Sequence, residues 1–371
     1  MNFDLSEDEE MLKALAERFV SDHYDLETRR GFLAEAHGFS ESNWNLLGEL
    51  GLIAAPFDED QGGMSLDATG IAVVFEALGR GLVVEPLIEN VLVAGRLFAA
   101  TAKPELRDEW LPSLLAGERR IAFAHAEFDG RPGRPRIETS ARIEGARTIL
   151  NGEKACVPAG SGADAYIVSA RTGGDASTLD QVALYFVPAD AEGLSARAWR
   201  LADGNCAVTL SIDDVAIEDG NTLCDAGGGI ALIDDLASLA RSAEALGIME
   251  RMFEETAIYL RTREQFGAKL SSLQALQHRM VAQYAVIEQC RGLLHKALVS
   301  FDTPEFGKSV QGLRAFISPA SVELGHEMIQ FHGGMGVTDE LIIGHAHKRL
   351  LVLSRWPDDP LGALDRYAQN G

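Results

Sequence analysis

An α+β multidomain fold is predicted, with an N-terminal all-α domain, a middle β-barrel or sandwich domain and a C-terminal helical bundle. Three features of the sequence carry the prediction. Apolar residues recur at helical spacing through the first third, short extended runs broken by Gly, Asp and Pro fill the middle, and long helical periods return beyond it. The expected boundaries are 1–118, 119–222 and 223–371. A chain of 371 residues with 46% hydrophobic content can bury a large core and favours several domains over one.

In chain order, Ser6 followed by Glu9 makes a capping box, and Leu12, Leu15, Ala16 and Phe19 continue it as an amphipathic helix. Helical periods follow around Asn43 to Leu52, Thr69 to Leu78, Leu87 to Ala99 and Leu106 to Leu115, interrupted at residues 60–63 and at Pro104. From about Ile121 the texture changes. Ile137 to Ile143, Arg147 to Leu150, Tyr166 to Ala170 and Val182 to Val187 read as strands, with Asn151-Gly152 as a tight-turn signal, and the β region reaches roughly Asp219. Gly227-Gly228-Gly229 reads as a hinge or turn. Leu232 to Leu260, Leu273 to Leu298 and Phe316 to Ile329 are then long periodic segments of the kind that pack into a bundle.

Charge narrows the function. With 33 Lys plus Arg against 56 Asp plus Glu, the formal charge is -23, which repels nucleic acid and anionic lipid head groups. Neither is an expected partner. A nucleotide or coenzyme A would need a locally basic pocket to overcome that field, so individual arginines carry more information than the net charge. The cysteines at 156, 206, 224 and 290 form no CxxC pair, and His332, His345 and His347 lack metal-ligand spacing, so no metal is expected. The start MNFDLSEDEE is acidic where a targeting signal needs a basic one, and no apolar run is long enough to span a bilayer, so a cytoplasmic protein is expected.

Two segments are specific. Residues 260–267 read LRTREQFG at a helix end, and residues 330–338 read QFHGGMGVT. Together they resemble the RxxFG and QxxGGxG segments of acyl-CoA dehydrogenases. The likeness extends to Phe3–Leu15, to Leu47–Gly63, to the hairpin Asn151-Gly152-Glu153-Lys154 and to Ala245-Leu246-Gly247, and so covers nearly the whole chain. Within the family it leans toward the small subunits of pimeloyl-CoA and steroid side-chain dehydrogenases.

The resemblance implies FAD as cofactor and a C-terminal four-helix domain that mediates tetramer formation. It implies that Arg263 binds the pyrophosphate, that Gln265 and Phe266 line the adenosine side, and that Gln330, Gly333 and Gly334 contact the adenine end of a flavin held mainly by the dimer mate. Those residue types suit the task, because a guanidinium pairs bidentately with phosphate oxygens and glycine admits close backbone approach. Read without the resemblance, Arg263 is a solvated helix-end cation and the glycines a helix C-cap.

The reaction implied is α,β-dehydrogenation of a fatty, dicarboxylic or steroid-derived acyl-CoA. A carboxylate takes the α-proton while hydride leaves the β-carbon for the flavin, and an electron-transfer flavoprotein removes the electrons. Counting from the QxxGGxG segment brings Pro357 onto the usual base, with Asp358 and Asp359 behind it; Asp358 is the candidate, and a pair of turn residues is the competing reading. The alternative base position falls on Ala237 and Ser238, where no carboxylate stands.

Two stretches depart from the family. Ala124-His125-Ala126-Glu127-Phe128 replaces the Thr-Glu-Pro run whose hydroxyl hydrogen-bonds the flavin ring, and Cys156-Val157-Pro158 replaces the Trp, Ile and Thr or Ser that lie against that ring. Proline offers no amide hydrogen there. Two hypotheses follow: a dehydrogenase in its own right, in a homo- or hetero-tetramer, or a catalytically incomplete partner completing the flavin site of a paralogous subunit. Flavin monooxygenases and nitroalkane oxidases, which share the fold, form a third.

Overall fold

The first helix, α1 (Glu7–His23), starts where its capping residues place it. The Ser6 hydroxyl accepts from the Glu9 amide at 3.3 Å, and the Ser6 amide donates back to the Glu9 carboxylate at 2.6 Å. The computed structural model describes residues 5–128, 136–145, 147–177, 181–357 and 359–369, the side chains of 224–232 excepted. The chain divides into a helical unit, Met1–Arg30, Ala68–Val83 and Ser238–Gly371, and a β-containing unit, Gly31–Asp67 and Val84–Ala237.

In the helical unit, α1 buries Leu12, Ala16 and Phe19 and packs on α4 (Ala68–Gly81). The long helices are α7 (Ala226–Thr262, inside this unit from Ser238), α8 (Gln274–Val299) and α9 (Phe306–His332), followed by α10 (Ile342–Arg355) and α11 (Pro360–Gln369). Helix α9 is the hub, packed by α8, α10 and α11. Buried charges here are matched: Arg349 grips Glu244 through two bonds of 2.6 and 2.9 Å, and the Arg29 guanidinium donates to the Leu82 carbonyl at 2.9 Å and contacts His345 Nδ1 at 3.1 Å.

The glycine of Ala245-Leu246-Gly247 has a steric reason. Helices α4 and α7 touch backbone to backbone, so that a Cβ on Gly247 would lie 2.1 Å from the Glu76 carbonyl and one on Gly79 would lie 2.3 Å from that of Glu244. Gly247→Ala is therefore expected to destabilise the protein by about 1–3 kcal/mol through overpacking. Gly292→Ala on α8, where an added Cβ meets nothing within 4 Å, is expected to stabilise by about 0.5–1 kcal/mol. Urea midpoints of the two variants moving in the same direction would contradict this account.

The second unit contains α3 (Glu41–Glu49) and, after Val84, a π-helix over Leu87–Gly95 that runs into α5 (Arg96–Thr101) and α6 (Pro104–Leu115). Pro104 begins α6 at its first turn, where a missing N–H costs nothing. Eight strands follow among the described residues: β1 (Ile121–Ala124), β2 (Ser140–Glu144), β3 (Arg147–Pro158), β4 (Ala165–Arg171), β5 (Val182–Pro188), β6 (Leu194–Arg200), β7 (Cys206–Glu218) and β8 (Thr222–Asp225). The sheet order is β6-β7-β3-β2-β4-β5-β8. Strand β1 pairs in parallel with β4 from Ile121↔Ala165 to Ala124↔Val168, whereas β2 meets β4 only at Ser140↔Arg171. One face packs Leu150, Val157, Tyr166, Val168, Val208, Leu210 and Ile217 together. On β5, Phe186 receives Phe98 from α5 at 5.3 Å and Trp110 from α6 edge-on at 4.7 Å.

Two local expectations are corrected. Asn151-Gly152 lies inside β3, not at a turn. The register against β7 shifts between Leu150 and Gly152, Gly152 adopts φ 153°, and a Cβ there would strike Thr139 at 2.6 Å. Asn151 meanwhile exchanges two hydrogen bonds with Asp214, at 2.8 and 2.9 Å, so the pair builds a bulge. Gly227-Gly228-Gly229 belongs to the first turn of α7, not to a hinge: helix-initial amides need no intrahelical acceptor, so the flexibility of glycine is tolerated there. Among the described residues, no helix is long and apolar enough to cross a membrane.

Candidate functional site

The two motif segments emerge from helix ends that touch. At the last turn of α7 the Tyr259 ring stacks on His332, the last residue of α9, with centroids 4.4 Å apart and planes at 25°. His332 is fixed by its Nδ1 contact with the Met328 carbonyl at 2.9 Å. Arg279 of α8 ties a third element in, donating to both oxygens of Glu327 on α9 at 2.7 and 3.0 Å while its guanidinium covers the Phe331 ring. Arg263 thus lies one helical turn beyond Tyr259, and Gly333 follows His332 directly.

Beyond α7 the chain makes a two-stranded hairpin, β9 (Glu264–Gln265) with β10 (Ala268–Lys269), closed by Phe266 at φ 56° and Gly267 at φ 75°. Successive positive φ angles match the twist of such a hairpin, and a phenylalanine held there carries strain that a glycine would not. Its ring is 93% exposed. Arg263 is exposed too, and among the described residues its guanidinium has no hydrogen-bond or ion-pair partner; Arg279, by contrast, is neutralised. Gln265 and Gln330 are exposed. Gly333 turns with φ 61°, and at Gly333 and Gly334 an added Cβ would meet nothing within 4 Å. Asp358 lies outside the described residues. Its neighbour Asp359 acts in a turn: it accepts the Leu361 amide at 2.9 Å and pairs with Arg355.

In the β-containing unit, the two stretches that depart from the family lie side by side. Ala126 and Cys156 form an isolated antiparallel bridge, and the Ala155 amide donates to the Ala126 carbonyl at 2.9 Å. Behind them runs a polar network that sequence reading missed. The Lys154 ammonium, wholly buried, donates to Glu127 Oε1 at 2.6 Å and to the Ser169 hydroxyl at 3.1 Å. Glu127 also accepts from the Thr139 hydroxyl at 2.6 Å and the Glu138 amide at 2.6 Å. His125 Nδ1 meets Ser169 Oγ at 3.0 Å, and its ring stacks on Phe123 with centroids 5.3 Å apart.

Environment sets the charges of these groups. Burial pulls Lys154 down to about 8, opposed by Glu127; burial pushes Glu127 up, but Lys154 and three hydrogen bonds bring it below its ordinary value. Burial, with the Lys154 charge behind it, lowers His125 to about 4, and burial with the nearby Glu89 carboxylate raises Cys156 to about 12. At neutral pH His125 is an uncharged imidazole and Cys156 an inert thiol. The only sequence signal for this network was Lys154, within the NGxK segment.

These residues can be tested against the cofactor that the resemblance implies. An uncommitted guanidinium beside two open glycines and two exposed amides suits a dinucleotide pyrophosphate approaching from outside the chain. The β-containing unit offers less: residues 124–128 carry no hydroxyl and Pro158 no amide hydrogen, while His125 brings an imidazole to the same stretch.

Comparison with known proteins agrees with the fold. Residues 6–118 match the family described as acyl-CoA dehydrogenase, N-terminal domain, and residues 235–356 match acyl-CoA dehydrogenase, C-terminal domain. Acyl-CoA dehydrogenase FadE27 of Mycobacterium tuberculosis is 27% identical over 98% of this chain and 95% of its own length. The crystal structure of the ChsE4-ChsE5 complex from Mycobacterium tuberculosis superposes with a TM-score of 0.89 at 24% identity, covering 100% of this chain and 98% of that one. A variant of the Tcur3481-Tcur3483 steroid ACAD gives 0.85 at 27% identity, covering 98% and 97%. With both terminal domains matched across more than half its length, the chain belongs to the acyl-CoA dehydrogenase family, oxidoreductases of acyl-CoA thioesters whose cofactor is FAD.

Proposed function

We propose that this chain is a subunit of a tetrameric FAD-dependent dehydrogenase of an acyl-CoA, with Arg263, Gln265, Phe266, Gln330, Gly333 and Gly334 completing a flavin site held mainly by a neighbouring subunit. One observation carries the reading: the Arg263 guanidinium without a partner among the described residues, the open Gly333–Gly334 backbone and the 93% exposed Phe266 follow from helix ends that touch. An unneutralised arginine on so acidic a chain suits an anion, and an exposed aromatic at a hairpin tip suits a second polypeptide.

Bound FAD supplies the hydride acceptor; this chain's part is to bind and orient. Asp358 is the proposed base for the α-proton, and a steroid-derived or other bulky acyl group is the proposed substrate, supported by the likeness to the steroid ACAD. The electron-transfer flavoprotein is the proposed acceptor. A second reading, a catalytically incomplete member of a heteromeric tetramer, is favoured by the two departing stretches meeting at the Ala126–Cys156 bridge and by the two-component complexes among the structural relatives.

Expression alone and with an adjacent paralogue tests both. A yellow homotetramer bleached by acyl-CoA supports the first reading, and Asp358→Asn should then slow bleaching at least about 100-fold by removing the base. A colourless chain that takes up flavin only with its paralogue supports the second. Absence of flavin under both conditions contradicts both readings.

A further inference from the structure

The β-containing unit holds one side chain whose donor is fixed by its neighbours. Lys154 is an ammonium, a donor with no acceptor, so at 3.1 Å from Ser169 it occupies a lone pair of the hydroxyl oxygen. The hydroxyl hydrogen then has two candidate acceptors: the Ala124 carbonyl at 3.5 Å and His125 Nδ1 at 3.0 Å. An O–H donor at 3.5 Å makes at best a weak bond, so the hydrogen goes to Nδ1. Nδ1 is thereby an acceptor, and the single hydrogen of the neutral ring sits on Nε2. The relay runs from Glu127 through Lys154 and Ser169 to His125, and each link is short.

Nε2 is where the relay ends. Among the described residues it has no hydrogen-bond partner, and His125 is only partly buried, like Phe123 beside it. The resemblance places a flavin-binding hydroxyl in the stretch 124–128, which carries none in this sequence. An uncharged N–H beside the stacked Phe123 ring suits a neutral acceptor on a planar group, such as a ring or thioester carbonyl, and does not suit a phosphate.

We propose that His125, through its Nε2–H, is the donor with which this chain's β-containing unit binds a ligand carbonyl, in place of the hydroxyl missing from residues 124–128. Ser169 and Lys154 are positioning residues that hold the tautomer. The assignment rests on the reading above only in taking FAD or an acyl-CoA as the source of that carbonyl.

The test uses the intact assembly, with any paralogous partner present. His125→Phe keeps the ring and removes the donor, His125→Gln restores an N–H, and Ser169→Ala leaves the imidazole but frees its tautomer. FAD affinity is measured by flavin fluorescence without acyl-CoA, and acyl-CoA affinity by titrating the visible flavin spectrum. Loss of one hydrogen bond to a neutral acceptor corresponds to roughly tenfold weaker binding. We expect that loss in His125→Phe, near-wild-type binding in His125→Gln, and an intermediate value in Ser169→Ala. A loss in the FAD titration identifies the flavin ring as the carbonyl source, whereas a loss only in the acyl-CoA titration identifies the thioester. Wild-type values for His125→Phe in both titrations, or equal losses in the Phe and Gln variants, overturn the assignment. Those results leave the flavin role of Arg263 untouched, because it is read from its own variant.

Discussion

Arg263→Ala is expected to release FAD from the assembled protein while leaving each subunit folded. A guanidinium bound to phosphate oxygens contributes about 1.5–3 kcal/mol, so its removal should weaken FAD binding roughly 10- to 150-fold. Because the side chain is exposed and makes no bond to the described residues, the urea midpoint of the flavin-free chain should stay within about 0.5 kcal/mol of wild type. Arg263→Lys keeps the charge and loses the two-pronged geometry, so its affinity should fall between the two. Fluorescence titration with FAD at two salt concentrations checks this, since a charge-dependent loss shrinks as salt rises. Full retention of FAD by the alanine variant would falsify the role given to this helix end.

The second large effect is on stability. Lys154 is completely buried, and its principal partner, Glu127, is almost as inaccessible. Removing one member strands the other, which costs about 3–5 kcal/mol, so Lys154→Met should unfold at far lower urea. Replacing both, as Lys154→Met with Glu127→Leu, should recover most of that loss, because the energetic penalty lies in the unmatched charge and not in the absent pair. A double variant no better than the single one would show that the hydrogen bonds from Thr139 and Glu138, and not the ion pair, dominate the site.

Acid should act on the same network. The Glu127 carboxyl is held below its ordinary value, so its contribution is fully present above about 4.5 and is lost as pH falls through the lower folded value. His125 is lowered from 6.5 to about 4, so across that window the unfolded chain binds more protons, and stability again falls as pH falls. The urea midpoint is therefore expected to drop from about pH 6.5 toward pH 4 through His125 and further below about pH 4.5 through Glu127, and His125→Phe should flatten the decline above pH 4.5.

Much of the fold was legible because its cues are local. The Ser6–Glu9 box, the long helical periods and the β-branched runs of β4 and β5 act over a few residues, and the structure places elements where they fall. Local cues failed where a distant partner decided the conformation. Asn151-Gly152 carries the composition of a turn, but Asp214 and Thr139 make it a bulge, and three glycines that look like a hinge begin a helix.

The same division holds for the site. The sequence determined the chemistry available: an arginine and glycines in two recognisable segments, a lysine in a third, and no hydroxyl where a flavin ring would want one. Only the tertiary structure decided that Tyr259 meets His332, so that segments roughly 70 residues apart leave from one place, and that Lys154, Ser169 and His125 form a relay. The reason is physical: a hydrogen bond or ring stack depends on separation in space, which parallel helices and closing strands set independently of separation along the chain.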